Sequence, residues 1–189
     1  MLPATQRQYL TLKLIMTKSI KLIILGLLFY PIISVGQKGN NFTIDTAKIL
    51  NNENLEDFVQ GLKTDTFQIF ADKDAIPKHV KKQLDRLTKR FSIANPNQNW
   101  QCCCTSPRRL PERQLIFLAK SKDVLVMTYK TGGFGVSTHL LLIRFDNDKI
   151  IDLWTGYCWA DVSKVDDIVS YIDETRKNNR EFNTNIVIL

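Results

Sequence analysis

Four apolar segments near the middle of the chain, joined by very short connections, constrain the fold most strongly. They span residues 114–120, 124–130, 136–145 and 149–154 and are rich in Val, Ile, Leu and aromatic side chains. The connections are three to five residues long and are polar or glycine-rich, whereas a crossover between parallel strands needs a dozen or more residues. We therefore predict an antiparallel meander of four strands.

Further elements are predicted on either side of the meander. Alternation over residues 66–70 indicates a fifth strand, and apolar side chains at helical spacing predict helices over residues 53–62 and 77–91. A last helix begins at Asp161 or Ser163 and fades after residue 175, and residues 185–189 are a candidate closing strand. Helices before and after a contiguous sheet indicate an α+β fold, with helices packed on a four- to five-stranded antiparallel meander.

Residues 16–36 have the pattern of an export signal. Two lysines precede an apolar run over residues 22–35, which is too short for a membrane-spanning helix. Ser34 and Gly36 place small side chains where a signal peptidase needs them, if the cut follows Gly36. We therefore expect residues 1–36 to be a signal peptide and residues 37–189 to form a single α+β domain that is periplasmic or secreted.

Two alternatives concern this N-terminal region. Residues 1–15 precede a second methionine, Met16, so either Met1 is a mis-assigned start or the positive region is long. The apolar run is either removed or retained as a membrane anchor, and Pro31 with the small residues near Gly36 favours removal. No cysteine follows the expected cut, which disfavours lipid anchoring.

The net charge of +7 is less unusual once the signal is set apart. Residues 1–36 hold four of the 26 basic side chains and no acidic one, so 22 basic and 19 acidic side chains remain in the other 153 residues. This balance is ordinary for a globular domain. We therefore expect no nucleic-acid partner, and membrane contact only transiently through the signal peptide.

One helix carries a local excess of positive charge. The helix predicted over residues 77–91 has an apolar stripe, and six basic side chains occupy its other faces. They are Lys78, Lys81, Lys82, Arg86, Lys89 and Arg90. An anionic partner is one interpretation, and a solvated helix face is the other. We favour the solvated face, because no aromatic or glycine-rich companions are interleaved with the charges.

The four cysteines are Cys102, Cys103, Cys104 and Cys158. An even number in an oxidising compartment predicts disulfides, and adjacent cysteines lie too close together for an unstrained bridge. We predict a disulfide between Cys158 and one of the three others, worth about 4 kcal/mol. The run lacks the C-x-x-C spacing of zinc sites, so we expect no metal and no cofactor. We expect the two leftover thiols to be buried as small hydrophobes; a soft-metal or redox site and incidental exposure are the alternatives.

A glycine-rich stretch over residues 132–139 is the most tempting motif. No Gly-Lys-Ser/Thr follows, as a phosphate loop would need, and the glycines lie between strands and do not open a helix. The pattern Gly135-x-Ser137-x-His139 is half of a nucleophile elbow. A hairpin explains the same residues, because glycine adopts positive φ at little cost.

His139 is the centre of the weak catalytic candidates. On an extended strand it shares a face with apolar side chains, which predicts a histidine anchored in or near the core. A catalytic role needs a nucleophile, for which Ser137 and Cys158 are candidates, and an orienting carboxylate, for which Asp152 is the candidate.

Aromatic residues concentrate near Cys158. Trp154, Tyr157 and Trp159 offer large contact area with few torsions, so they are candidate binding residues. Packing in the core is the simpler explanation for the same side chains.

No motif identifies a reaction. We expect an exported binding or accessory module for a protein or small-molecule ligand. The alternative is a small hydrolase or thiol-dependent enzyme in which His139 acts with Cys158 or Ser137. A third hypothesis is a metal-handling protein that uses residues 102–104.

Overall fold

The computed structural model describes residues 42–103, 110–133, 135–158, 162–178 and 182. All the elements below belong to the compact unit Asn40–Leu189. The predicted signal peptide, Cys104, Trp159 and the candidate strand over residues 185–189 lie outside the described residues. Within those residues, no helix combines the length and the hydropathy that a membrane span requires.

Four α-helices and six strands lie in the described ranges. In chain order they are α1 Thr46–Leu50, α2 Leu55–Thr64, β1 Gln68–Phe70, α3 Lys78–Leu87, β2 Ile93–Ala94, β3 Arg113–Lys120, β4 Val124–Thr131, β5 Ser137–Phe145, β6 Ile150–Tyr157 and α4 Val165–Lys177.

The strands form a single sheet with the order β1-β3-β4-β5-β6. Each neighbouring pair on this path is antiparallel, so the predicted meander and the α+β fold class are confirmed. β2 adds a short parallel pairing to β3. Two residues are too few to show an alternating pattern, and for this reason the sequence did not reveal β2.

Helices cover both faces of the sheet. Residues directly opposite each other on neighbouring strands share a face, so Tyr129, His139 and Tyr157 lie together on one face, called face A. α3 packs on face A, where the rings of His79 and Phe145 are 5.7 Å apart. The opposite face, face B, is covered by α1, α2 and α4.

The apolar stripe of α3 is buried as predicted, but the helix is shorter. Val80 and Leu84 are fully buried, whereas the helix ends at Leu87 and Lys89 adopts a left-handed φ of 60°. Asp85 Oδ1 then accepts from the backbone N–H of Phe91 at 2.9 Å. Phe91 therefore reaches the core from a loop that is pinned to the helix.

The last helix begins after the predicted cap. Its N-cap is Lys164, and Asp167 Oδ2 accepts from the backbone N–H of both Ser163 and Lys164, at 2.9 and 3.1 Å. A carboxylate in the first turn thus satisfies N–H groups that the helix leaves without partners.

Side chains cover part of the outer edge of β6. Asn54 Nδ2 donates to the Leu153 carbonyl at 3.0 Å, and Tyr171 Oη donates to the Tyr157 carbonyl at 2.8 Å. Carbonyls alternate in direction along a strand, so these two point to the same side.

Candidate functional site

Ser137 and His139 meet where β5 begins. They are two residues apart on a strand and therefore share face A. Ser137 Oγ lies 2.8 Å from His139 Nε2. A neutral imidazole with a bare Nε2 accepts the serine proton in this bond, which is the contact that a nucleophile and its general base require.

His139 is sealed between two aromatic rings. Its exposed fraction is 1%, and the ring centroids of Tyr129 and Tyr157 lie 5.5 and 4.9 Å from its own. Burial lowers the pKa of His139 from 6.5 to about 4, and the charge of Arg113 contributes to the same shift. The imidazole is therefore neutral at pH 7 and is a weak base.

Arg113 and Tyr129 extend this buried polar cluster. Arg113 is 5% exposed, and its guanidinium lies 4.9 Å from the Phe91 ring centroid. Burial raises the pKa of Tyr129 to about 12, while Arg113 and Thr155 beside its hydroxyl oppose the rise. Within the described residues that hydroxyl makes no hydrogen bond of regular geometry. The cluster thus combines a buried cation with a neutral histidine and a protonated tyrosine.

Neither Arg113 nor Tyr129 was predicted as a site residue, although the position of Tyr129 opposite His139 could have been inferred from the sequence. Thr131 pairs with Ser137 at the end of the β4–β5 hairpin. Two residues further along each strand, Tyr129 therefore lies opposite His139. Both residues lie within the predicted strands, so pairing these strands in the register Thr131–Ser137 would have found this contact. Arg113 joins the cluster because β3 pairs with β4 in a register that places Arg113 opposite Thr131. The local sequence does not determine that register.

Asp152 does not join His139. It pairs with Arg144, five residues along β5 and on the opposite face, so the two side chains are separated by roughly 17 Å along the strand. Asp152 instead accepts from Lys48 Nζ and Asn54 Nδ2, each at 2.8 Å. Its carboxylate therefore ties α1 and the start of α2 to β6.

Cys158 also lies apart from His139. Its backbone N–H donates to the Thr138 carbonyl at 2.8 Å, one position beyond the His139–Tyr157 pair, so its side chain points to face B. There it lies near Tyr171, whose pKa is raised to about 12, mainly by burial and further by the charge of Cys158. Of the catalytic candidates, the structure brings only Ser137 to His139.

The predicted disulfide is not found among the described residues. Cys102 is exposed, and Cys103 pairs with Gly133 just beyond the end of β4, whereas Cys158 extends β6 and is 2% exposed. The described residues thus contain no bridge from Cys158 to Cys102 or Cys103, and the Cys104 form of the predicted disulfide lies outside the described residues. No group of three His, Cys, Asp or Glu side chains that could hold a metal ion occurs in the described ranges.

The aromatic candidates do not form one surface. Trp154 is fully buried on face B, and its Nε1 donates to Asn52 Oδ1 at 2.9 Å. It therefore packs in the core, which was the simpler of the two explanations given above for the aromatic residues. Tyr157 lies on face A and is half-buried. Trp159 lies outside the described residues.

Comparison with protein-family models, with curated proteins and with solved structures found no match to this chain.

Proposed function

We propose that this chain is an exported binding or accessory module rather than a catalyst, and that Tyr157 and Ser137 belong to its contact surface. The observation that supports the proposal is the way Tyr157 is held. Its ring packs against the His139 ring at a tilt, with 4.9 Å between the centroids, and its carbonyl accepts from Tyr171 at 2.8 Å, yet the residue keeps part of its surface in solvent. An aromatic side chain fixed in this way loses little conformational entropy when a partner covers it.

The surroundings of His139 also favour binding over catalysis. Asp152 is engaged with Lys48 and Asn54, Cys158 is on the other face, and the imidazole is buried and weakly basic. A hydrolase normally needs its histidine oriented by a further group and able to accept a proton near neutral pH. The Ser137–His139 contact is equally what two polar neighbours on one strand face form for structural reasons.

Site-specific photo-crosslinking in cells that produce the full chain tests this proposal. A photoreactive amino acid replaces Tyr157 in one variant and Ile151 in the control, which is 51% exposed on the same strand. We expect a discrete adduct from position 157 that excess unmodified protein suppresses, and none from position 151. The proposal fails if neither position gives an adduct, or if both give the same one.

The Ser137–His139 distance of 2.8 Å supports a second candidate function, a serine hydrolase. A fluorophosphonate probe tests it: the serine oxygen would bond to phosphorus, fluoride would leave, and the imidazole would take the hydroxyl proton. Labelling that disappears in both Ser137→Ala and His139→Phe, but persists in Ser163→Ala, would replace the binding proposal. We expect no labelling that depends on Ser137.

A further inference from the structure

A groove with a volume of about 460 Å³ lies beside α3. Four cationic side chains and a single acidic one line it, together with uncharged residues. The cations are Lys73, Lys81, Lys89 and Arg90. Phe91 also contributes to the wall, and its ring meets Tyr129 at 5.9 Å. Neither Tyr157 nor Ser137 lines the groove, so the inference drawn from it is independent of the contact surface proposed above.

The charges of the groove are largely uncompensated. Asp85 binds Lys81 Nζ at 2.9 Å, which neutralises one cation. Lys73, Lys89 and Arg90 form no ion pair within the described part of the chain. The C-terminal end of α3 contributes about half a negative charge, so the groove keeps an excess of roughly two positive charges.

The backbone around the groove is held in place. Asn95 Oδ1 accepts from the Lys73 N–H at 2.9 Å, and Asp85 Oδ1 accepts from the Phe91 N–H at 2.9 Å. Both bonds fix segments that carry lining residues. A charged surface whose backbone is already ordered binds an anion with a smaller entropic penalty.

We propose that this groove binds a small soluble ligand that carries a phosphate monoester. Such a group bears about 1.5 to 2 negative charges and three strong acceptor oxygens, which matches three unpaired cations better than a single carboxylate does. Ser92 adds a hydroxyl donor, and Ile93 and Pro111 provide apolar wall for the organic part of the ligand. The volume lies within the range of small-molecule sites.

Calorimetric titration of the full chain with glycerol 3-phosphate tests the proposal, with glycerol as the neutral control. In the site variant, Lys89→Gln is combined with Arg90→Gln. In the charge-matched control, Lys78→Gln is combined with Lys82→Gln, which removes two exposed α3 cations that do not line the groove. We expect saturable binding of the phosphate, a loss of at least about fivefold in affinity for the site variant, and almost no change for the control.

Three results would overturn this assignment. They are the absence of saturable binding at millimolar ligand, an equal loss in both double variants, and binding only to vesicles that contain phosphatidic acid. Lys73→Gln provides a second site variant at an independent position. Thermal unfolding of every variant shows whether a loss of binding reflects a loss of structure.

Discussion

Acid should destabilise this protein through His139. The folded-state pKa of His139 is about 4, against 6.5 for an unperturbed histidine, because burial and then the charge of Arg113 oppose protonation. Between pH 6.5 and 4 the unfolded chain therefore binds a proton that the folded chain does not. The contribution of His139 to the free energy of unfolding therefore falls as the pH is lowered through this window and is constant well below pH 4.

The size of the effect follows from the depression of the pKa. At about 1.4 kcal/mol for each factor of ten in affinity for the proton, a fall in the pKa from 6.5 to about 4 corresponds to at most roughly 3.5 kcal/mol. Ser137 beside the ring is only half-buried, so solvent screens part of the penalty. The expected loss is about 2 kcal/mol.

Urea unfolding of the wild type and of His139→Phe at pH 7.5 and pH 4.5 measures this loss. Phenylalanine keeps an aromatic ring between Tyr129 and Tyr157 but cannot bind a proton. Carboxylates whose pKa values are lowered, such as Asp146 and Asp167, titrate in both proteins, so their contributions cancel. We expect the stability of the variant relative to wild type to improve by about 2 kcal/mol on acidification. The same pH dependence in both proteins would refute the reasoning.

Three further outcomes follow from the packing. Trp154→Ala should lower the free energy of unfolding by about 3–5 kcal/mol in urea denaturation, because the indole is fully buried. The control Ile151→Ala should change it by no more than about 0.5 kcal/mol, and a similarly small loss for Trp154→Ala would place Trp154 outside the core. Asp152→Ala should lower the free energy of unfolding by about 1–3 kcal/mol in the same assay, because the side chains of Lys48 and Asn54 lose their acceptor. An unchanged stability would contradict the role of Asp152 in tying α1 and α2 to β6. Alkylation of the native protein followed by peptide mapping should modify the exposed Cys102 and spare the buried Cys158, and a peptide joined through both residues would show the geometry to be wrong.

Much of the fold was predictable because it rests on local signals. The meander follows from alternating apolar segments and short connections, and its strands differ from the prediction by only a few residues. β6 continues to Tyr157, three residues beyond the predicted end at residue 154. α3 stops before the end of its apolar pattern, because Phe91 joins the core from a loop held by Asp85.

The candidate site was less predictable, because its geometry depends on which face of a strand each residue occupies. Ser137 and His139 are near in sequence and share a face, so their contact could be anticipated. Cys158 and Asp152 were also predicted as partners of His139, but strand register places them on the opposite face. A shift of one residue in strand pairing moves each side chain to the other face of the sheet, and the composition of a strand does not determine its register.

The side chains along β6 also bear on how this protein can associate. An open strand at the margin of a sheet invites another polypeptide to add to it through its backbone. Here two outward carbonyls, those of Leu153 and Tyr157, are already occupied by Asn54 and Tyr171, so an incoming strand would first have to displace both donors. Recruitment at this margin should therefore proceed through side chains rather than by strand addition.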